Sequence, residues 1–436
     1  VIALTIDEVA SLCDGELTSA EGATAITGVA IDSRRIQPGD LFVAVGRGAE
    51  FATEALECGA SATLVPPDAE KALATLAREV RARSSARVVA ITGSTGKTST
   101  KDILAALCAP HARTVAAEAS FNNELGIPLT ICRIEDDTEI AIVEIGMRGL
   151  GQILDACSFI RPHTGLITGI GPVHLELLGT VERVAQAKAE VLAALEPGGV
   201  GIVPAGEPLL EPFLPEGVEL RFFGPGAPSS LVSFEPIAGG SRAVFEIEGD
   251  RIELELPLNA RHQAENALAA LVCYRELGLP LEGAQAGARM IRLSRWRGEE
   301  TPIAGGGLLI NDAYNANPTS LAAALEHQAD LAAGRRRVAI LGDMAELGAD
   351  SGRYHEQIGR RAAELGVDAV LAVGEEARAY LDGAGGVPVQ EWAPDAEAAS
   401  ALAVGSVRPG DCVLVKGSRV VGLEIVAKAL EDGLSA

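Results

Sequence analysis

Residues 93–98 read Gly-Ser-Thr-Gly-Lys-Thr, preceded by the apolar run Val-Val-Ala-Ile-Thr at 88–92 and followed by a helix-forming stretch from Ser99. In a strand, glycine turn and helix of this kind, backbone N–H groups curl around phosphate oxygens. The helix N-terminus adds partial positive charge. Gly93, Ser94, Thr95, Gly96, Lys97, Thr98 and Ser99 are therefore candidate phosphate-binding residues. Lys97 would meet the transferred phosphate, and the Thr98 hydroxyl would ligate magnesium. The longer form of the motif opens on a glycine where this chain has Ile91, so the loop is a shortened GxxGKT.

Three further residues could do chemistry. Glu144 ends the apolar run 140–143, and an acid at the carboxyl end of a parallel strand beside a phosphate loop lies in the ligand crevice of such sheets. It reads either as a metal ligand or as a solvated strand-end acid. His174 follows a short strand at 165–168 through a Gly-Ile-Gly-Pro-Val loop, and reads either as a site residue or as a structural histidine. Lys188 shares a helical face with Val181, Val184, Val191, Leu192 and Leu195. Desolvation there would lower the amine's pKa, and a neutral amine can react with CO2 to form a carbamate. The alternative is a lysine snorkelling at the rim.

The elements that must position these groups follow from composition and pattern. A chain of 436 residues exceeds one typical core. With 48% hydrophobic and 22% charged residues it reads as globular. Its apolar runs fall far short of the ~20 residues that span a bilayer, and the first residues show no basic region of a signal peptide. A net charge of −24 argues against nucleic-acid or acidic-membrane partners. Seven dispersed cysteines, without a CxxC pair, predict buried free thiols in a reducing cytoplasm and no zinc site.

The first 86 residues read as a small α/β unit, with strands at 29–32, 41–45 and 62–65 and helices at 52–58 and 69–83; the charged stretch 81–85 reads as a linker. From 87, strands at 88–92, 140–145, 165–168 and 200–203 alternate with helices, which implies a parallel sheet. A strand-rich stretch at 219–258 carries Gly-Asp at 249–250 as a hairpin turn. A helix over 268–277 and a second linker near 292–307 lead to a new alternating series, with strands at 308–311, 338–341, 369–373 and 412–415 and helices at 320–331 and 355–365.

Taken together, TGSTGKTSTK (92–101), FNNELGIPLT (121–130), EIGM (144–147), HLE (174–176), AKAE (187–190), the run 259–271, DAYNANP (312–318), GDMAELG (342–348) and VKGSR (415–419) resemble the Mur ligases. With DSR (32–34) and PGDLF (38–42), the resemblance runs from about Asp32 to Leu430. It implies an α/β, three-domain architecture: a UDP-substrate-binding domain (1–86), a central P-loop parallel-sheet ATPase domain (87–297) and a C-terminal Rossmann-like domain (298–436) that binds nucleotide and the incoming amine. DAYNANP, GDMAELG and NNELG point to the branch that joins D-alanyl-D-alanine to UDP-N-acetylmuramoyl-tripeptide through an acyl phosphate, using ATP and Mg2+. The resemblance assigns phosphate and magnesium to Lys97 and Thr98, the metal site to Glu144 and His174, and a magnesium-positioning carbamate to Lys188. It assigns adenine to Asn266, nucleotide phosphates to Arg297 and ribose to Asp312. Ser33, Asn122 and Asn123 would touch the UDP-muramoyl substrate, and Tyr314, Asn315 and Asn317 would lie near ATP and dipeptide. Small-molecule substrates and a monomer are expected.

One departure stands out. Where the family carries a longer loop with Asp-Gly-His, this chain has Gly-Arg-Gly-Ala-Glu-Phe at 46–51, which bears on how the first domain holds its UDP substrate. A related ligase with another acceptor or amine, including a folylpolyglutamate-type enzyme, is the competing reading. The arginine-containing DNPR-type segment of a diaminopimelate-adding enzyme is absent from 312–318. A non-catalytic nucleotide-binding partner is the reading from another class, and intact Lys97, Thr98, Glu144 and Lys188 speak against it.

Overall fold

The computed structural model describes residues 1–434. The chain divides into two compact units. One comprises residues 1–169, 186–259 and 263–292; the other comprises 170–185, 260–262 and 293–436.

The first unit holds two larger sheets and a two-stranded ribbon. In the smaller sheet, strands Gly28–Ala30, Asp40–Val43 and Ala62–Val65 run parallel, and Glu16–Ser19 closes the edge antiparallel to Ala62–Val65. The helix Ala69–Arg83 buries Leu73, Leu76 and Val80 at helical spacing. Of the stretch 81–85 expected as a linker, 81–83 belong to that helix, and the connection to the strand Arg87–Thr92 is the short run 84–86. Arg81 lies inside that helix, and its guanidinium donates to the carbonyls of Ile160 (2.8 Å), Arg161 (3.1 Å) and Ser84 (3.2 Å).

The larger sheet has nine strands. Its centre is parallel: Val200–Pro204, Thr164–Ile167, Arg87–Thr92, Ile140–Glu144 and Thr114–Ala116 lie side by side in that order. Arg87–Thr92 and Ile140–Glu144 are apolar on both faces, as a strand covered on both sides must be. The far edge is an antiparallel meander, Ser229–Ile237, Gly240–Ile247 and Asp250–Leu256. Its last turn sits one residue earlier than Gly-Asp. Ile247 already pairs with Asp250, leaving Glu248 (φ 50°) and Gly249 (φ 94°) as the two left-handed turn residues.

The second unit is built on one six-stranded sheet. Gly307–Asn311, Cys412–Lys416, Arg337–Gly342, Ala369–Val373 and Val389–Ala393 are parallel, and Glu299–Ile303 pairs antiparallel at the edge. The expected linker at 292–307 thus contains a strand. Helices Pro318–Ala332, Ser351–Glu364, Ala396–Ser406 and Glu424–Gly433 belong to the same unit, and its core is aliphatic, with Leu309, Ile340, Val413 and Val426 fully buried. No described helix is long and apolar enough to cross a membrane. All seven cysteines are free; six are buried, and Cys58 is exposed, against the expectation of burial.

Candidate active site

The phosphate loop leaves the carboxyl end of the strand Arg87–Thr92 and enters the helix Lys97–Cys108 through Gly96, which adopts a left-handed conformation (φ 77°) and offers no side-chain cap. The amino end of such a helix, with its partial positive charge, is where an anion is stabilised. A β-carbon on Gly96 would lie 2.3 Å from Oδ1 of Asn266, and one on Gly93 (φ 146°) would lie 2.0 Å from Oγ1 of Thr168. Both glycines are required by strain and by crowding. The loop is braced from the neighbouring strand: Ser94 N donates to Gly169 O at 2.8 Å, and the Thr168 hydroxyl donates to the Thr95 carbonyl. Lys97 folds back so that Nζ donates to Gly93 O at 2.8 Å. Thr98 and Ser99 are buried in the first helical turn.

Glu144 is 1% exposed. Its Oε1 accepts from Thr98 Oγ1 (3.1 Å) and from Asn122 Nδ2 (2.7 Å), while Oε2 is buried and has no hydrogen-bond partner among the described residues. A dry carboxylate oxygen without a donor is costly. A hard cation held beside Thr98 would remove that cost, so the donor set fits magnesium. Among the described residues no group of three or more His, Cys, Asp or Glu side chains is arranged as a ready metal cage. Magnesium would then rely on Thr98, on Glu144 and on an oxygen ligand from elsewhere.

Lys188 stands on the helix Val181–Ala193, which ends two residues short of Leu195. It is 1% exposed, among fully buried Val184, Ala185, Ala187, Val191 and Leu192. Burial, and after it the charge of Lys97, push its pKa well below the ordinary lysine value. It does not snorkel.

Ser33 is buried in the turn Ser33–Arg35. Asn123 Oδ1 accepts from Gly126 N (2.9 Å), and Asn122 O accepts from Gly146 N (2.8 Å). The segment carrying both asparagines is thereby fastened to the strand end that carries Glu144.

In the second unit, three sequence motifs meet at the carboxyl ends of adjacent parallel strands. Lys416 Nζ reaches Asp312 Oδ2 (2.6 Å) and Asn315 O (2.9 Å). Ser418 Oγ accepts from Ala345 N (2.9 Å) and donates to Ala316 O (3.3 Å). Arg297 stacks over the ring of Tyr314 at 4.0 Å. Asn317 caps the helix Pro318–Ala332, with Oδ1 accepting from Ser320 N at 2.9 Å. His174, in a left-handed conformation (φ 54°), is hydrogen-bonded through Nδ1 to Oε2 of Glu346. Lys101, Glu346, Lys416 and Ser418 carry no signal of their own in residue type or spacing, although all four lie inside TGSTGKTSTK, GDMAELG and VKGSR.

A phosphate loop at the carboxyl edge of a parallel sheet, with a dry acid and a buried lysine in the same unit, defines a phosphoryl-transfer class of α/β protein. The chain belongs to the Mur ligase family. Residues 91–274 match the Mur ligase middle domain, and residues 296–419 match the Mur ligase, glutamate ligase domain. A UDP-N-acetylmuramoyl-tripeptide--D-alanyl-D-alanine ligase from Escherichia coli (strain K12) is 32% identical, with 99% of each chain covered. Among solved structures, MurF from Acinetobacter baumannii aligns with a TM-score of 0.86 at 27% identity over 99% of both chains. MurF ligase from Thermotoga maritima in complex with ADP aligns at 0.81 and 27% identity, covering 93% of this chain and 97% of that one.

Proposed function

We propose that this chain is an ATP-dependent ligase that joins the peptide carboxylate of UDP-N-acetylmuramoyl-tripeptide to D-alanyl-D-alanine, in the cytoplasmic assembly of peptidoglycan precursors. The observation that carries the reading is the pairing of Thr98 with Glu144 beneath an uncapped helix N-terminus, in a chain matched end to end by ligases of that name. The proposed division of labour is 1–86 for the UDP substrate, 87–297 for ATP and 298–436 for nucleotide and amine.

A substrate carboxylate attacking a triphosphate meets like-charge repulsion, and an electrostatic clamp lowers that barrier. The loop's N–H groups and Lys97 would hold the transferred phosphate. Magnesium, held by Thr98, Glu144 and a carbamate on Lys188, would neutralise phosphate charge when bound; His174 is a further candidate ligand. The carboxylate oxygen bonds to the terminal phosphorus and ADP leaves. The neutral dipeptide amine then attacks the acyl carbon, phosphate departs with the C–O bond electrons, and the nitrogen gives up one proton to the departing phosphate or to solvent. Asn122 and Asn123 would orient the muramoyl substrate and Asn266 the adenine. Within the second unit, Arg297 and Asp312 are proposed nucleotide contacts, and Tyr314, Asn315 and Asn317 lie near the dipeptide in this reading.

The test is ADP release with UDP-N-acetylmuramoyl-tripeptide, varying the amine. Release that requires both the tripeptide substrate and D-alanyl-D-alanine is expected. Release that proceeds equally with either omitted, or only with a different amine, would overturn the assignment.

A further inference from the structure

Lys101 lies one helical turn after Lys97 on the helix Lys97–Cys108 and is 1% exposed. Its ammonium is fully engaged: Nζ donates to Ala117 O (2.8 Å) and Ala119 O (2.5 Å) and lies 2.9 Å from Asp102 Oδ1. A buried charge contributes little net stability compared with an apolar side chain of the same volume. Its value here is the geometry it imposes. The two carbonyls belong to an irregular segment in which Ala119 is left-handed (φ 45°) despite its β-carbon, and that segment leads directly into Asn122 and Asn123.

A closed circuit results. Lys101 holds 117–119, Asn122 donates to Glu144, and Glu144 accepts from Thr98, three residues before Lys101 on the same helix. The backbone of the segment is also tied at its ends, Ala117 N donating to Ile142 O at 3.1 Å and Gly146 N to Asn122 O at 2.8 Å, whereas the ion pairs at Glu118 are weak. Arg35 and Arg133 pair with Glu118 at 3.0 and 3.4 Å, with all three side chains more than two-fifths exposed, and exposed pairs of that kind contribute little.

We propose that Lys101 is a positioning residue that locks the asparagine-bearing segment 117–123 to the phosphate-loop helix, so that the site for the UDP-linked peptide is assembled in register with the site for phosphate. This rests on the ligase reading above. It predicts a split effect: losing Lys101 weakens capture of the muramoyl substrate and spares the nucleotide, whose loop is braced by Thr168 and Gly169.

The experiment compares wild type with Lys101→Met, which nearly keeps length and loses every donor, and with Lys101→Gln, whose shorter, uncharged amide keeps an NH2 that can donate. KM for UDP-N-acetylmuramoyl-tripeptide should rise about tenfold in Lys101→Met and about threefold in Lys101→Gln, with KM for ATP within about twofold of wild type. Equal rises in both KM values, or none, would overturn the proposal; if Lys101→Met does not fold, the Lys101→Gln values decide. Amide hydrogen exchange across 117–126 is read in parallel and needs no turnover. If wild type itself shows no ligation, the functional reading fails, and exchange alone judges the clamp. Faster exchange in the variants supports it, and unchanged exchange refutes it.

Discussion

Lys188 is held toward its neutral form by burial and, beyond burial, by the positive charge of Lys97 on the phosphate loop. A neutral amine is the form that adds CO2, with loss of a proton, to give a carbamate. That product would supply the hard oxygen donors that Thr98 and Glu144 alone do not complete. Labelled bicarbonate should therefore give a carbamate carbon signal in the wild type that Lys188→Ala lacks. The same variant should lose on the order of 10²–10³ in kcat, with partial rescue by a short carboxylic acid. Full activity in Lys188→Ala would sink the idea.

Lys97→Ala should leave the fold standing, because the side chain is half-buried on the phosphate loop, where Nζ donates to the Gly93 carbonyl, rather than packed in the apolar core. Turnover should fall by at least about 10³, as expected when a phosphate-binding cation is removed from a preorganised site. Thermal unfolding and ADP release together check this. Near-normal ligation by a folded variant would remove the loop from the mechanism.

Gly96→Ala should destabilise the protein by roughly 1–3 kcal/mol, since it adds left-handed strain to a clash. The clash partner is Asn266 Oδ1, 2.3 Å from the new carbon. Adding Asn266→Ala should relieve the steric share and leave the strain, so the double variant should melt above the single one. A Gly96→Ala protein as stable as wild type would show that the loop yields to the added carbon, against this prediction.

His262 supplies a pH dependence in the second unit. Its ring packs edge-on to His327 with centroids 6.1 Å apart. Burial lowers its pKa from 6.5 to about 4; Asp312 opposes the shift, and His327 and Lys416 add to it. A depressed histidine pKa means that the unfolded chain binds the proton first. Its contribution is therefore whole above pH 6.5 and is lost as pH falls toward about 4. Across that window wild type should lose roughly 2 kcal/mol more than His262→Gln, after allowing for the ring's partial exposure. Denaturant titrations at several pH values give both slopes, and parallel slopes would refute the assignment.

What the sequence made legible was local. Gly93, Gly96, Lys97 and Thr98 declare themselves by spacing, and Lys188 by its place in a 3.6-residue rhythm that the helix bears out. What it hid was set by pairing across the chain. The turn at Glu248–Gly249 is displaced by one residue because the Ile247–Asp250 register decides it. Glu299–Ile303 looked like a linker because it is polar and contains Pro302, which an edge strand tolerates and a central one does not. Lys416 finds Asp312 from 104 residues away, a partnership no window of residues reveals. The short stretch 46–51 folds as a 3-10 helix of about two turns, with Arg47 and Glu50 paired on its surface.

Arg81 carries a practical consequence for anyone cutting this chain. Its guanidinium satisfies the carbonyls of Ile160 and Arg161, while Ile2 N donates to Ile134 O at 2.8 Å. A fragment begun at residue 87 would strand those acceptors and bare the surface that the helix Ala69–Arg83 now covers. Such a truncation should come out insoluble or molten, whatever the merit of the phosphate loop it retains.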